Sequence, residues 1–190
     1  RLRGGVTTSE SGDPIAGREE EEVAAALRAS LEAEGIVFLT GHDAQSVTSS
    51  AAGIRIAVRD RAGTTTTVAC SQLLVAVGRV PNTSDLDLAA TGVRSDRGFV
   101  LVNEYLETNV KGVYALGDVN GGPAVTHISN NDFQIAFHNL FNDVKRSTAG
   151  RIVPYALFTD PELGRVGMTE RQARVLGRPI LVGSIPMGRV

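Results

Sequence analysis

One carboxylate, Asp118, stands where its residue type and its neighbours could do chemistry. It follows Gly117 at the end of an apolar stretch, Val113–Leu116, that predicts a buried strand, and the loop Asn120–Pro123 comes next. A carboxylate after a strand can accept hydrogen bonds from a sugar hydroxyl, and a helix N-terminus just beyond it faces anionic groups. The pattern therefore indicates a bound flavin dinucleotide and redox chemistry. The alternative is an aspartate that only caps a turn or a helix.

A helix is predicted after this loop, from about Ile128 to Asn142. Its apolar positions recur at helical spacing and define one face, made of Phe133, Phe137, Leu140 and Val144. The segment leading into the helix is Ala124, Val125, Thr126 and His127. We expect it to lie along the cofactor, where backbone N–H groups would stabilise negative charge on a reduced flavin ring.

The N-terminal part of the chain alternates strand, helix and strand. The predicted elements are a strand at Val6–Glu10, a helix at about Arg18–Glu34 and a buried strand at Ile36–Leu39. This order favours a parallel sheet with a right-handed crossover. The sequence thus predicts an α/β fold.

Residues 46–77 carry a different pattern, that of several short strands. Three segments predict them: the alternation Ile54–Val58, the β-forming run Thr64–Ala69 and the apolar run Leu73–Val77. Asp60–Gly63 is predicted as the hairpin turn between two of these strands.

The rest of the chain alternates short helices and strands. Helices are predicted near Leu86–Ala90 and Thr169–Leu176, and strands at Phe99–Val102, Ile152–Phe158 and Ile180–Ile185.

Composition excludes several classes of protein. The 190 residues hold 19 Lys and Arg against 21 Asp and Glu, with no basic block for nucleic acid. No apolar run reaches the roughly 20 residues that a membrane helix needs. The single cysteine, Cys70, leaves no internal disulfide and fits a cytoplasmic location. Because the chain opens on Arg1 and stops at Val190 after a predicted strand, we expect a piece of a larger protein.

Three segments, in this order, resemble the class I pyridine nucleotide–disulfide oxidoreductases. They are Leu73–Asn82 (LLVAVGRVPN), Tyr114–His127 (YALGDVNGGPAVTH) and Phe158–Glu170 (FTDPELGRVGMTE). This family includes dihydrolipoyl dehydrogenase, mercuric reductase, glutathione reductase and the hypothiocyanous acid reductases. With the turn at Glu34–Ile36, the resemblance covers nearly the whole chain.

The resemblance implies Rossmann-like FAD and NAD(P) domains followed by an α+β dimerisation domain. Residues 1–82 would be the C-terminal part of the NAD(P)-binding domain, residues 83–150 the second segment of the FAD-binding domain, and residues 151–190 the start of the dimerisation domain. It also implies a homodimer in the intact protein.

The resemblance further assigns cofactor contacts. Asp118 would contact the ribityl chain of FAD, and Ala124, Val125, Thr126 and His127 would line the flavin, with His127 acting through its backbone. Gly78, in the family's Gly-Arg-x-Pro turn, would sit where the nicotinamide cofactor passes. A plain turn glycine is the other interpretation of Gly78.

Two residues of the first part are candidates for the adenosine end of NAD(P). Glu10 ends a predicted strand, where an acidic residue can bond ribose hydroxyls and favour NAD over NADP. An exposed strand-end glutamate is the equal alternative. Ala44 aligns with a residue that packs on the adenine in the family, and an ordinary loop alanine is its alternative.

The chain lacks several of the family's motifs. These are the two Gly-x-Gly-x-x-Gly loops, the redox cysteine pair and the C-terminal His/Glu pair, so no catalytic residue and no metal ligand is assigned. We expect a fragment of an FAD-dependent NAD(P)H:disulfide-type oxidoreductase that acts on a small-molecule or disulfide substrate. The alternatives are a cysteine-independent flavoprotein reductase, such as a ferredoxin reductase or NADH dehydrogenase relative, and a non-catalytic remnant.

Overall fold

The computed structural model describes residues 4–186, which divide into two compact units. The first unit holds the described residues up to Val75, then Ala156–Gly164 and those from Met168 onward. The second holds Ala76–Tyr155 and Arg165–Gly167. The elements of the two units together make a mixed α/β fold.

The first unit opens with a strand–helix–strand motif. Strand β1 (Val6–Glu10) pairs with β2 (Ile36–Thr40), and helix α1 (Glu21–Ala33) connects them. The two strands are parallel, with Val6 opposite Ile36 and Glu10 opposite Thr40. The predicted order and the parallel pairing are confirmed. The helix begins three residues later than predicted because the preceding residues form turns instead.

A three-stranded antiparallel sheet follows in the same unit. Its strands are β3 (His42–Ser50), β4 (Gly53–Asp60) and β5 (Thr65–Cys70), in the order β3-β4-β5. The predicted hairpin turn is confirmed: the N–H of Gly63 donates to the carbonyl of Asp60 at 3.1 Å, and the N–H of Thr64 donates to Oδ1 of Asp60 at 2.8 Å.

Two apolar runs predicted as strands are not strands. Leu73–Val77 pairs with no described strand, and Val77 is 91% exposed. Ile180–Ile185 is likewise irregular, and it is exposed from Leu181 onward. Strand β2 forms, but it is only partly buried because its described sheet has two strands. The first two runs are apolar, yet no described strand offers them a ladder, whereas β2 has β1 as a partner on one side.

The second unit has a small apolar core. It contains a 3-10 turn (Ser84–Leu86), helix α2 (Leu88–Thr91), a hairpin of β6 (Ser95–Asp96) and β7 (Phe99–Val100), and helix α3 (Thr126–Phe141). The core is centred on Val93, Val100 and Ala115. The predicted short helix and the strand at Phe99 are confirmed, the strand in shorter form.

The predicted strand at Val113–Leu116 is wrong. The segment makes one isolated bridge, between Tyr114 and Glu107, and the N–H of Ala115 donates to the carbonyl of Leu106 at 3.1 Å. A tight turn, in which the N–H of Val113 bonds the carbonyl of Val110 at 3.1 Å, leaves room for only this short pairing. Ala115 is nevertheless buried, as the apolar sequence indicates.

Helix α3 buries a different face from the one predicted. Its buried residues are Ile128, Asp132, Ile135 and Ala136. The rings of Phe133, Phe137 and Phe141 follow one another along the helix, with centroids 5.8 and 5.1 Å apart, and all three are exposed. Helical spacing therefore identified a real apolar stripe, but no described residue covers it.

Two short strands and one helix complete the chain. Strands β8 (Tyr155–Leu157) and β9 (Leu163–Arg165) pair, and helix α4 (Glu170–Val175) starts with a capping box of Thr169 and Gln172. The predicted strand near Ile152 is thus partly formed, and the predicted helix is confirmed.

Helix α4 is tied to the start of α1 within the first unit. The backbone N–H of Arg171 donates to Oε1 of Glu20 at 2.9 Å, and Nη2 of Arg171 donates to the carbonyl of Glu19 at 2.7 Å. The bond from the Arg171 N–H is the main reason that the pKa of Glu20 lies below its usual value of 4.5.

Among residues 4–186, no helix is long and apolar enough to cross a membrane.

Candidate functional site

Asp118 lies on a 3-10 turn, Gly117–Asn120, and not directly after a strand. Gly117 has a φ of +73°, and a Cβ added there would lie 2.9 Å from Oγ of Ser129 on α3. A positive φ is costly for any residue with a Cβ, and the contact adds a clash. Both the backbone conformation and the nearby Ser129 therefore favour glycine at this position. The side chain of Asp118, which follows, is 53% exposed.

The buried carboxylate of Asp132 holds this turn by hydrogen bonds. Oδ2 of Asp132, on α3, accepts the backbone N–H of Gly117 at 2.9 Å and Nδ2 of Asn120 at 3.1 Å. Its other oxygen, Oδ1, forms an ion pair with Nη1 of Arg151. The side chain of Asp132 is 2% exposed, so its charge is satisfied almost entirely by these partners.

Sequence reasoning missed Asp132. A signal was present, because the aspartate is spaced i+4 from Ile128 and i−3 from Ile135, on the apolar face that α3 buries. An acidic residue on a buried face needs a partner there. The partners themselves, 15 residues before and 19 residues after it, are visible only in the fold.

Arg79 contacts the exposed side of the same turn. Its Nη1 donates to Oδ2 of Asp118 at 3.2 Å and to the carbonyl oxygen of Ala124 at 2.7 Å. Oδ1 of Asp118 has no hydrogen-bond partner among the described residues. Both side chains are more than half exposed, so the ion pair contributes only about 0–1 kcal/mol to stability.

A cleft of about 450 Å³ opens beside this pair, within the second unit. Its walls are Arg79, Val80, Pro81, Asn82, Phe99, Asp118, Val119, Gly121, Gly122 and Ala124. The wall is apolar apart from one cation, one carboxylate, one amide and exposed backbone. This combination suits a ligand with a flat apolar part and hydroxyl groups, and the volume falls in the usual range for a ligand pocket.

Of the predicted FAD residues, the structure brings Asp118 and Ala124 into the wall of this cleft, while the next three lie at the start of α3. Val125 is the extended residue before the helix, and Thr126 and His127 are its first two residues. The first N–H groups of a helix have no acceptor within the helix, so those of Thr126 and His127 remain available as donors.

The side chain of His127 is already engaged. Its Nε2 lies 2.8 Å from the carbonyl oxygen of Pro154, and since a carbonyl only accepts, Nε2 carries the proton. The ring is thereby held through Nε2, and the backbone N–H of His127 is available to a ligand.

Gly78 directly precedes Arg79 and has a φ of +126°. No atom lies within 4 Å of where its Cβ would stand, so glycine is required by the backbone conformation and not by crowding. This conformation fits both interpretations, a turn glycine and a point of cofactor passage, and the two can hold at once.

The two candidates for the adenosine end lie in the first unit. Glu10 is the last residue of β1, and its Oε1 accepts the N–H of Gly12 at 3.1 Å. Ala44 lies on strand β3, beside a bulge, so its description as a loop alanine is wrong. Oγ of Ser9 donates to the carbonyl of His42 at 3.2 Å, which brings the end of β1 next to the start of β3.

No group of three or more His, Cys, Asp or Glu side chains that could hold a metal ion occurs in the part of the chain that the structure describes.

Comparison with known proteins identifies several relatives. The chain is 34% identical over 187 residues to a dihydrolipoyl dehydrogenase of Cupriavidus necator, covering 98% of this chain and 39% of that protein. It is 32% identical over 186 residues to a mercuric reductase of Staphylococcus aureus, covering 97% of this chain and 34% of that protein. Among solved structures, the HOCl-induced flavoprotein disulfide reductase RclA of Escherichia coli matches with a TM-score of 0.87 and 32% identity, covering 97% of this chain and 42% of that one.

The chain therefore spans well under half the length of the relatives that it matches. The α/β prediction is confirmed, and so are the predicted oxidoreductase family and its cofactors, FAD and NAD(P)H. The model of the family described as "Pyridine nucleotide-disulphide oxidoreductase" matches residues 3–132, which is most of the chain. On these matches and on the fold, this chain belongs to the pyridine nucleotide–disulphide oxidoreductase family.

Proposed function

We propose that this chain supplies one part of an FAD site and one part of a nicotinamide-cofactor site in an FAD-dependent NAD(P)H:disulfide-type oxidoreductase. The observation that carries the proposal is the exposed carboxylate of Asp118, presented over a cleft beside the start of α3 in a chain of this family. Such a carboxylate suits the ribityl chain of FAD, because Oδ1 can accept a hydrogen bond from a hydroxyl while Oδ2 is held by Arg79.

The start of α3 would meet the flavin ring. Ala124 lies in the cleft wall, and the backbone N–H groups of Thr126 and His127 are oriented donors at the positive end of a 16-residue helix. Donors of this kind favour negative charge on the ring when the cofactor is reduced. Val125 would contribute backbone contact at the same edge.

The nicotinamide cofactor would be met by Glu10, Ala44 and Gly78. Glu10 ends a parallel strand, which is where an acidic residue accepts hydrogen bonds from adenosine ribose hydroxyls, and this favours NAD over NADP. Ala44 has an exposed side chain that would pack on the adenine, and Gly78 would sit where the nicotinamide end passes.

We place these roles on three domains. Residues 1–82 would belong to the NAD(P)-binding domain, residues 83–150 to the FAD-binding domain and residues 151–190 to the dimerisation domain, with a homodimer as the working form. The two compact units change over after Val75, close to the first of these boundaries. The lone cysteine, Cys70, is the basis for proposing a cytoplasmic location.

In the reaction that we propose, hydride passes from the nicotinamide to the flavin, and two electrons pass on to a cysteine pair and then to a small-molecule or disulfide substrate. One named relative is itself a flavoprotein disulfide reductase, which favours this reaction over that of a cysteine-independent flavoprotein.

The test is flavin content and its dependence on Asp118. The protein is expressed at the full length of its gene, and the visible spectrum is recorded before and after NADH is added without oxygen. We expect a yellow protein that NADH bleaches, and roughly tenfold weaker FAD binding in Asp118→Asn. Asp143→Asn, which removes an exposed carboxylate elsewhere in the second unit, is the matched control. A colourless protein that takes up no added FAD would contradict the proposal.

A further inference from the structure

Asp132 is a buried charge that the proposed reaction does not use. It lies on the buried face of α3 and touches neither the cleft wall nor any residue assigned to a cofactor, apart from the turn that carries Asp118. A buried carboxylate is costly unless it is paired and hydrogen-bonded. Its presence therefore calls for a physical reason.

The partners of Asp132 bracket Asp118. One carboxylate oxygen, Oδ2, accepts from Gly117, the residue before Asp118, and from Asn120, two residues after it. Both ends of the turn are thus tied to Oδ2 of Asp132, and Asn120 also donates to the carbonyl of Ala115 at 3.2 Å. The backbone that carries Asp118 is held on both sides.

The negative charge of Asp132 is needed for the whole arrangement. Its second oxygen faces Nη1 of Arg151, which also donates to Oδ1 of Asn131 at 3.2 Å and whose side chain is 16% exposed. An asparagine at this position has only one acceptor oxygen. That oxygen could accept from the turn or from Arg151, but not from both. The amide NH₂ would then replace the second oxygen and would face another hydrogen-bond donor.

We propose that Asp132, paired with Arg151, is the positioning residue of the FAD site: it fixes the Gly117–Asn120 turn so that Asp118 meets the ribityl chain. This inference rests on the proposed function, because it concerns the same site. It assigns Asp132 no contact with the cofactor. Its effect on FAD passes through Asp118.

The experiment measures the FAD dissociation constant of the full-length protein and of Asp132→Asn, with far-UV circular dichroism as the check of folding. We expect roughly tenfold weaker FAD binding and an altered visible circular dichroism of the bound flavin. The control Asp143→Asn should match the unaltered protein in both measurements. FAD binding within twofold of the unaltered protein in Asp132→Asn would overturn the inference and leave the proposed function standing.

A double-mutant cycle separates positioning from general weakening. If Asp132 acts through Asp118, replacing Asp132 should change FAD binding much less in an Asp118→Asn background than in the unaltered protein. Equal effects in the two backgrounds would overturn the inference. An unaltered protein that binds no FAD would overturn the proposed function and this inference together.

A second variant decides the matter if Asp132→Asn does not fold. Asn120→Ala keeps the buried Asp132–Arg151 pair and removes the side-chain bonds of Asn120, which go to Asp132, to the carbonyl of Ala115 and to the N–H of Gly122. We expect severalfold weaker FAD binding, again dependent on Asp118. A folded Asn120→Ala protein whose FAD affinity and flavin circular dichroism are unchanged would contradict the positioning role.

Discussion

The two candidate cofactor carboxylates are held in very different ways. Asp118, in the second unit, sits on a turn that the buried carboxylate of Asp132 holds through two hydrogen bonds, and that carboxylate is itself paired with Arg151. Glu10, in the first unit, sits at the end of a two-stranded parallel sheet, and its described side-chain bond goes to the N–H of Gly12, two residues away.

A protein can thus position a carboxylate either by the register of a strand or by side-chain bonds to the backbone that carries it. At Glu10 the register of β1 against β2 sets the position of the backbone, and the described bond to the side chain is a local one, from the N–H of Gly12. Asp118 lies on a 3-10 turn and belongs to no described strand, so no ladder sets its position. The side chain of Asp132, distant in sequence, fixes the backbone of the turn instead. We expect the second arrangement to be sensitive to single substitutions around it, and the first to be tolerant of them.

The largest expected effect comes from Gly117→Ala. The substitution forces a side chain into a positive φ and brings its Cβ to within 2.9 Å of Oγ of Ser129, so we expect a loss of about 2–4 kcal/mol in the free energy of unfolding. Chemical denaturation measures it.

The control for this variant is Gly112→Ala, which has a similar φ of +81° but no atom within 4 Å of its Cβ. It should lose only about 1–2 kcal/mol, the cost of the backbone conformation alone. If the two variants lose the same free energy of unfolding, the contact between Gly117 and Ser129 on α3 contributes nothing to the effect.

The next effect separates the two carboxylates by ligand. Asp118→Asn should weaken FAD binding roughly tenfold and leave the affinity for NADH nearly unchanged, because one charged acceptor is lost. Glu10→Gln should weaken NADH binding and leave the affinity for FAD nearly unchanged, with a smaller effect because its carboxylate has a described bond only to the nearby Gly12 N–H. Titration of each variant with each cofactor measures both affinities. A loss of FAD binding in Glu10→Gln would break the comparison.

A smaller effect is expected for Arg79→Gln. Because the ion pair with Asp118 is exposed, the free energy of unfolding should change by less than about 1 kcal/mol. FAD binding should still weaken by a few fold, since Asp118 and Ala124 lose a shared donor. Raising the salt concentration should shrink this difference if the charge is its source. A difference that does not change with salt would point to the bond with the Ala124 carbonyl instead.

The smallest effect concerns pH, in the first unit. The pKa of Glu20 is lowered mainly by the N–H of Arg171, so the unfolded state binds this proton more readily than the folded state. The stabilisation is present above the ordinary pKa of 4.5 and is lost as the pH falls through the lowered value. Glu20→Gln should remove this dependence.

Thermal unfolding of both proteins between about pH 3 and 7 tests the prediction for Glu20. The difference between their melting temperatures should narrow toward acid pH. A difference that stays constant across this range would show that the charge of Glu20 has no part in tying α4 to α1.

The sequence predicted local elements better than contacts. The strand–helix–strand order and the hairpin at Asp60 follow from hydrophobic period and turn residues, which act over a few positions. The role of Asp132 could not be predicted in this way, because its partners lie many residues away. The runs at Leu73–Val77 and along α3 show a further limit: an apolar pattern identifies a face, but whether another element covers it is a tertiary fact.

The site was predicted in the same uneven manner. The residue types around Asp118 indicated a carboxylate beside a helix start, and the structure has both. The strand expected before it does not form, because only one bridge links Tyr114 to Glu107. Arg79 was part of the family resemblance but received no role from it, since its contact with Asp118 spans 39 residues of sequence.

The hydrogen bonds between Asp132 and the Gly117–Asn120 turn also decide at which stage the turn loses its conformational entropy. The turn loses its conformational entropy as the protein folds, since the bonds from Asp132 form within the chain itself. A ligand that reaches Asp118 then finds the acceptor already in place, and none of its binding energy is spent on arranging that loop. Association at this end of the site therefore needs no slow step to arrange this turn.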